Sequence, residues 1–285
     1  MTTDALLLEA RPAAAPVRTR PPLTSHMILI ALSILSIFPI YWMVISSFKP
    51  VNEIFTPSLF PTAPTLENYV RVFDTLPMNV LMANTILVAV MQTGFQLITS
   101  ILAAYALARW KFPGSGVIYT LFALTWLVPF QATMIPNYVL LTQLNLRNTA
   151  LGIIIPNIGS AFAILLLAQS FRSFPRELIE SAQLDGATSW GILWRIIFPN
   201  LRPVVASLGI LLFINSWNEY FWPLLVSSRM DSSTLQIGLQ MFMAGEVSLW
   251  GPVMAAATLT SLPIFLLYVV LQRQIIDSFV KSGLR

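Results

Sequence analysis

Two groups of side chains in this sequence have types and spacings that invite chemistry. The first is Glu177, Glu180 and Asp185, with Arg176, Arg195 and Arg202 nearby, in a chain only 10% charged. Glu177 and Glu180 lie one helical turn apart. The second group is scattered through apolar runs: Asn84, Gln92 and Gln96, then Asn215, Asn218 and Glu219. Gln92 and Gln96 are four residues apart, on one helix face. Neither group is a catalytic constellation. The single His, His26, excludes a two-His metal site, and it has no G-x-S-x-G partner for a serine triad. The chain has no Cys, which excludes disulfides, thiolate nucleophiles and Cys metal sites. It has no Walker A sequence, so it does not hydrolyse ATP itself. The expectation is therefore no catalytic residue, no metal site and no cofactor bound by this chain. These groups can pair with a partner's charge or hydrogen-bond a solute. Truncating a buried, hydrogen-bonded charge pair typically costs about 2–5 kcal/mol.

The elements that must position these residues are membrane spans. The chain is 56% hydrophobic with mean hydropathy +0.74. Uncharged runs of about 18 residues or more read as transmembrane helices. Six are expected: about 27–48 with Pro39, within 80–108, within 117–140 with Pro129 and Pro136, about 149–171 with Pro156, about 204–226, and about 252–272 with Pro263. None contains Asp or Lys, which argues against an intramembrane Asp/Asp or Ser/Lys enzyme and against an ion-driven carrier. An interior proline frees a carbonyl that lipid cannot satisfy, so kinked helices should face one another or a water-filled path. For any one proline, an ordinary membrane-helix kink explains it equally well. Residues 1–24 lack periodicity and read as a disordered cytoplasmic arm. The 22-residue run after it has no small-residue cleavage site, so a retained first span is favoured over a signal peptide.

The polar stretch of about 176–203 reads as helix, turn, helix. Pro175 precedes good helix formers, and Glu177 and Glu180 suit the N-terminal dipole. Leu178, Ile179, Ala182 and Leu184 form its apolar side. Asp185-Gly186 signals a turn. A β-branched residue at 186 would clash if φ is positive there. Trp190, Leu193, Trp194 and Ile197 mark one face of a second helix, which Pro199 and Pro203 should end before the next span.

With the N-terminus inside, twelve of the sixteen basic residues fall on that side, including Arg109, Lys111, Arg172, Arg176 and Arg195. That asymmetry follows the positive-inside rule and puts the polar stretch and both termini in the cytoplasm. Outside lie 49–79, proline-rich, and 227–251, serine-rich, each either a partner surface or a solvated connector. Trp42, Trp110 and Trp222 near span ends read as interface anchors. No basic cluster with interleaved aromatics is present, so no nucleic-acid partner is expected.

The spacing Glu180-Ser181-Ala182, Gly186, Ile196, Pro199 resembles the EAA loop of ABC importer permeases: E-A-A, three residues, G, nine residues, I-x-L-P. Ser181 stands for the first Ala, and Phe198 for Leu. Asp185-Gly186-Ala187 and Trp217 to Leu224 resemble the carbohydrate-uptake, MalG-like branch. Ser47-Phe48-Lys49-Pro50, Glu53-Ile54-Phe55, Pro64 to Tyr69 and Gln272-Arg273 extend the likeness over residues 25–285. The resemblance implies an all-α membrane protein with the six-helix type I ABC importer permease fold, in a bacterial or archaeal inner membrane. It implies a coupling helix seated in a cytoplasmic ATPase and carried by Glu177, Glu180, Ser181, Ala182, Asp185, Gly186, Ala187 and Pro199. Small Ser181 and Ala182 would allow close approach to the cleft, and Glu180 would meet a basic group in it. Implied partners are a second permease of similar fold, an ATP-binding subunit dimer using ATP and Mg, an extracytoplasmic solute-binding protein, membrane lipid and a sugar or oligosaccharide. A polyol, sugar phosphate or other solute is the alternative cargo. Gln92, Gln96, Asn215, Asn218 and Glu219 are candidates to line the path, with helix–helix hydrogen bonding as the competing role.

Overall fold

The computed structural model describes residues 23–244 and 249–283. The expected arm, 1–24, lies outside them except for Leu23 and Thr24. In chain order the helices are α1 (Leu23–Ser47), α2 (Glu67–Thr75), α3 (Met78–Arg109), α4 (Ser115–Leu127), α5 (Phe130–Gln143), α6 (Ala150–Ile154), α7 (Ala161–Arg172), α8 (Arg176–Leu184), α9 (Ser189–Gly191), α10 (Phe198–Trp217), α11 (Phe221–Val226), α12 (Leu235–Ala244) and α13 (Trp250–Gly283). The described residues contain no β-strand. Among the described residues, four helices are long and apolar enough to cross a membrane, or up to six if each of two bent pairs makes one span. The chain forms two units, divided between Trp42 and Met43.

In the first unit, Ser33 and Ser36 donate back to the carbonyls of Leu29 and Leu32 at 2.8 Å each. Their hydroxyls are thereby satisfied inside the helix, as an apolar solvent demands. Pro39 sits within α1 without breaking it.

The second unit is built on α3. Leu81, Thr85, Val88, Gln92, Gln96, Ser100, Ala104 and Leu107 are buried along it at helical spacing. Ile86, Leu87, Val90, Met91 and Ile98 on its other sides are exposed. Polar residues inside and apolar residues outside invert the soluble pattern, because lipid is as apolar as the core. Toward its C-terminal end, α3 packs Ile101, Ala104 and Tyr105 against α7, the segment Ile192–Ile197 and α10. At its N-terminal end Met78 and Leu81 pack with α2, Trp217, Leu235 and α13.

The third span breaks at Pro129, one of its two expected kinks, while Pro136 lies inside α5, and the fourth span bends just after Pro156. α4 and α5 meet at 94° across Val128–Pro129, and the α6 segment meets α7 at 47° across Ile158–Ser160. Contrary to expectation, Pro199 and Pro203 end no helix: Ser189–Trp217 is continuous. It absorbs them because Ile192–Ile197 is a π-helical turn, in which the Phe198 amide donates to Leu193. A π turn widens the helix just where Pro199 enters. Asn200 Nδ2 then donates to the Ile196 carbonyl at 2.7 Å, supplying a side-chain donor near two missing amides.

In their described residues, the two connections expected outside are tied to the helices. In 49–79, Lys49 is fully buried, its Nζ donating to the carbonyls of Thr56 and Ser58 at 3.0 and 2.8 Å. Asn68 on α2 holds the carbonyls of Ser47 and Lys49 at 2.9 Å each, and Tyr69 meets the Ser47 hydroxyl at 2.7 Å. The Ser47–Pro50 and Asn68–Tyr69 motifs are thus two halves of one lock. In 227–251, Leu235 opens α12, and its amide donates to Thr85 at 2.8 Å.

Candidate functional site

Three interruptions of helix open on one cavity of about 640 Å³. They are Val128–Pro129 between α4 and α5, Ile158–Ser160 before α7, and Asn218–Tyr220 between α10 and α11. Non-helical backbone at membrane depth persists only where protein buries it or where it lines a water-filled space. Side chains of α3 catch the carbonyls freed at the second break. Gln96 Nε2 donates to Asn157 at 2.8 Å, and Thr99 Oγ1 to Ile158 at 2.8 Å. Ser160 caps α7 by accepting from the Ala163 amide at 3.3 Å. At the third break Glu219 Oε1 accepts from the Trp222 amide at 3.2 Å, capping α11.

Amides and aromatics dominate the cavity wall. Gln92, Gln96, Gln131, Asn157 and Asn215 line it beside Phe122, Trp126, Phe130 and Phe162. Trp126 and Phe162 are tilted rings 5.6 Å apart. The buried Ser216 hydroxyl, also on the wall, has no hydrogen-bond partner among the described residues. Glu219 is the one ionisable side chain in the lining, and no Lys, Arg or His is part of it.

Of the five path candidates, the structure brings Gln92, Gln96, Asn215 and Glu219 together on this wall. Asn218 is not on it: its Nδ2 donates to Ile214 at 3.0 Å, and its side-chain oxygen accepts from Gln236 at 3.3 Å. Asn84 is also elsewhere, clamping the carbonyls of Asp231 and Ser233 at 2.8 and 3.0 Å. Gln96 combines both roles weighed for it, lining the cavity and tying helices. Ser216 stands out in the sequence with Asn215, Asn218 and Glu219 as one polar cluster, while sequence reading missed Gln131, Asn157, Ser160 and Thr99. The available signal was that each lies within three residues of a helix interruption or faces one. Trp222 is no interface anchor. It is fully buried, donates Nε1 to the Gly152 carbonyl at 3.2 Å, and stands edge-on to Phe130 at 5.7 Å.

The charged group of Glu177, Glu180 and Asp185 lies on and just after α8. α8 closes with a Schellman turn: Ala187 N–H reaches Ala182 at 2.9 Å and Gly186 N–H reaches Gln183 at 3.0 Å. Gly186 has φ +80°, the left-handed region that Gly enters without steric cost. Here α8 has three faces. Ile179 and Ala182 pack into the core with Ala187, Leu193 and Ile197. Arg176, Glu180 and Gln183 face a second cavity. Glu177, Leu178, Ser181 and Leu184 are exposed, with Leu184 at 90% of its full surface. The expected single apolar side is therefore split, with Leu178 and Leu184 outside. Ala182, 8% exposed, lends its small size to the chain's own packing rather than to a partner. The expected second face is split too: Leu193 and Ile197 are buried, while Trp190 is 62% exposed. Asp185 caps α8, and Pro199 lies on the first turn of α10.

That second cavity is also about 640 Å³, walled by the end of α3, the turn to α4, the end of α7 and α8. Arg109, Lys111, Arg172 and Arg176 stand around it with Glu180 as the lone acid. The Arg172 guanidinium lies 4.4 Å from the Tyr119 ring centroid. The described residues hold no group of three or more His, Asp or Glu placed to bind a metal.

The chain has relatives among known proteins. Residues 96–281 match the family model for the binding-protein-dependent transport system inner membrane component. The chain is 31% identical over 265 residues to the lactose transport system permease protein LacG of Rhizobium radiobacter, covering 93% of this chain and 97% of the relative. It is 32% identical over 282 residues to the sulfoquinovosyl glycerol transport system permease protein SmoH of Agrobacterium fabrum, covering 94% and 99%. Among solved structures it is similar to a chain of a bacterial ABC transporter for import of the acidic polysaccharide alginate. That match has TM-score 0.77 and 25% identity, over 89% of this chain and 95% of the other.

Proposed function

Because this chain belongs to the family of binding-protein-dependent transport system inner membrane components, we propose that it forms half of the translocation path of a sugar importer and couples that path to ATPases through α8. It is a multi-pass permease subunit of a carbohydrate ABC importer. Three helix breaks opening on one amide-rich, aromatic-walled cavity are the observation that carries the proposed path. Amides and an unpartnered hydroxyl suit the hydroxyls of a sugar, and Trp126 offers an apolar ring face. The lining has one carboxylate and no cation. That favours an uncharged oligosaccharide or polyol over a sugar phosphate, whose charge would meet Glu219 and no counter-ion.

The six-span domain of residues 25–285 acts in this reading with a second permease, a solute-binding protein outside, and an ATP- and Mg-using subunit pair inside. Both termini and α8 face the cytoplasm, supported by the distribution of basic residues. α8 offers Glu177, Ser181 and Leu184 to an ATPase cleft. A 90%-exposed leucine at the end of α8 and a 62%-exposed tryptophan at Trp190 are apolar surface that association would bury. Nucleotide-driven closure of the ATPases shifts the path only if each state binds its ligands differently.

The test uses the absence of cysteine. Leu184→Cys in the full chain, expressed with the ATPase carrying single cysteines around its cleft, should cross-link in membranes and respond to ATP. Leu184 is the position to label, since Ala182 is buried. Absence of a cross-link in an assembled, inserted chain would reject α8 as the coupling element. Uptake assays with the assembled importer should then rank neutral oligosaccharides above phosphorylated sugars, and the opposite ranking would reject the cargo reading.

A further inference from the structure

The basic cavity at the end of α3 has no role in the transport reading above. Among the described residues, no carboxylate lies within ion-pair distance of its four cations. The ion pairs among the described residues, Arg71–Glu67 and Arg229–Asp231, lie elsewhere. The Arg109 guanidinium reaches the Tyr105 hydroxyl, but its buried Nε has no hydrogen-bond partner among the described residues. Arg172 is held in place by Tyr119. Ser115, on the cavity wall, opens the 13-residue α4, whose N-terminus has no side-chain cap. A buried guanidinium donor, a fixed second guanidinium and an uncapped helix start all call for an oxyanion.

We propose that this cavity binds the phosphate of an anionic phospholipid. Arg109 and Arg172 take the phosphate oxygens as planar forks, and Lys111 and Arg176 add charge at the rim. Glu180 lowers the net charge but leaves it strongly positive. A lipid is favoured over an acidic protein segment by the surroundings. Trp110, 48% exposed, lines the cavity as an interfacial ring. The adjoining helices present exposed Leu102, Val117, Ile118 and Leu121, an apolar surface for acyl chains. Juxtamembrane basic groups attract anionic headgroups by the same electrostatics. Since Arg176, Ile179, Glu180 and Gln183 of α8 complete the wall, a bound headgroup bridges α3 and α7 to α8. That consequence for coupling rests on the reading of α8 above; the binding itself does not.

Native mass spectrometry of the full chain in detergent, titrated with dioleoylphosphatidylglycerol or dioleoylphosphatidylcholine, tests the site. The wild type should retain phosphatidylglycerol preferentially. An Arg109→Gln/Arg172→Gln variant should bind it about tenfold more weakly, with phosphatidylcholine unaffected, since charge-assisted bonds are the strong ones. Arg109→Lys/Arg172→Lys should fall between. If the glutamine variant does not fold, Lys111→Gln, at an exposed position, should still weaken binding about threefold. Equal retention of both lipids, or no difference between wild type and variants, would overturn the site. Displacement of phosphatidylglycerol by millimolar inorganic phosphate would overturn the lipid as its source. Loss of ATPase co-purification in the variants with lipid retention unchanged would make the cavity a protein contact instead.

Discussion

Two cavities of about 640 Å³ lie at the two ends of one helix, α7. Ser160 to Phe162 at its start line the first, and Phe171 and Arg172 at its end line the second. The first holds amides, aromatic rings and one carboxylate; the second holds four cations and one carboxylate. The helix dipole agrees with both, since its positive end faces Glu219 and its negative end faces the cations. Twelve residues at 1.5 Å each separate them by about 18 Å. The difference follows from solvent. Charge at membrane depth is costly, so the first cavity is lined mostly by uncharged hydrogen-bonding groups; charge near water is cheap, so the other end holds cations.

The contrast can be broken at its glycines, where the largest effect is expected. A Cβ on Gly152, whose carbonyl anchors Trp222 beside the first cavity, would sit 2.2 Å from the Leu146 carbonyl oxygen. Backbone cannot yield there as a side chain would. Gly152→Ala should cost about 3 kcal/mol or more and be read as loss of monodisperse protein on size-exclusion chromatography. Gly186, beside the second cavity's helix, meets nothing within 4 Å but has φ +80°. Gly186→Val should therefore assemble yet lose about tenfold in uptake, the left-handed backbone costing about 1–2 kcal/mol or more for a side chain. If Gly186→Val instead abolishes assembly, α8 is a folding element first.

Charge sharpens the comparison with a smaller effect. Glu219→Lys reverses the one formal charge of the first cavity, and sugar uptake should fall about tenfold. Arg172→Gln, in the second, should reduce uptake by less than about threefold. Equal losses would mean the two cavities are one functional unit. The smallest effect is expected outside both. Hydrogen bonds from the Thr62 hydroxyl and amide hold the Glu53 carboxyl below its ordinary pKa, with a lesser contribution from Lys49. Its folded-state pKa is depressed, so its stabilisation is present above the ordinary carboxylate range and lost as pH falls through the lowered value. Glu53→Gln should lower the melting temperature slightly at pH 7, and the gap to wild type should close in acid. A gap that widened in acid would contradict that sign.

Much of α8 is legible in its residues alone. Pro175 at its start, the acids in its first turn and Gly186 at its end are local signals, and local hydrogen bonds decide them. The residues of the proposed path are half legible. Gln92, Gln96, Asn215 and Glu219 stand out as polar groups in apolar runs, but Asn84 and Asn218 stand out equally and serve as clamps. Nothing in the spacing distinguishes a side chain that faces a cavity from one that ties two helices.

By itself, the sequence determined the spans, their charge asymmetry and the turn at Gly186, because length, charge and glycine act over a few neighbouring residues. Only the tertiary structure decided that Pro129 breaks a span while Pro199 and Pro203 do not, since a π turn was needed to accommodate the latter. It alone decided that Lys49 is buried, that Ala182 faces inward while Leu184 faces out, and that three helix breaks share one cavity. The physical reason is that lipid and protein core are equally apolar. A hydrophobic pattern shows which residues avoid water, and packing alone shows what they meet instead.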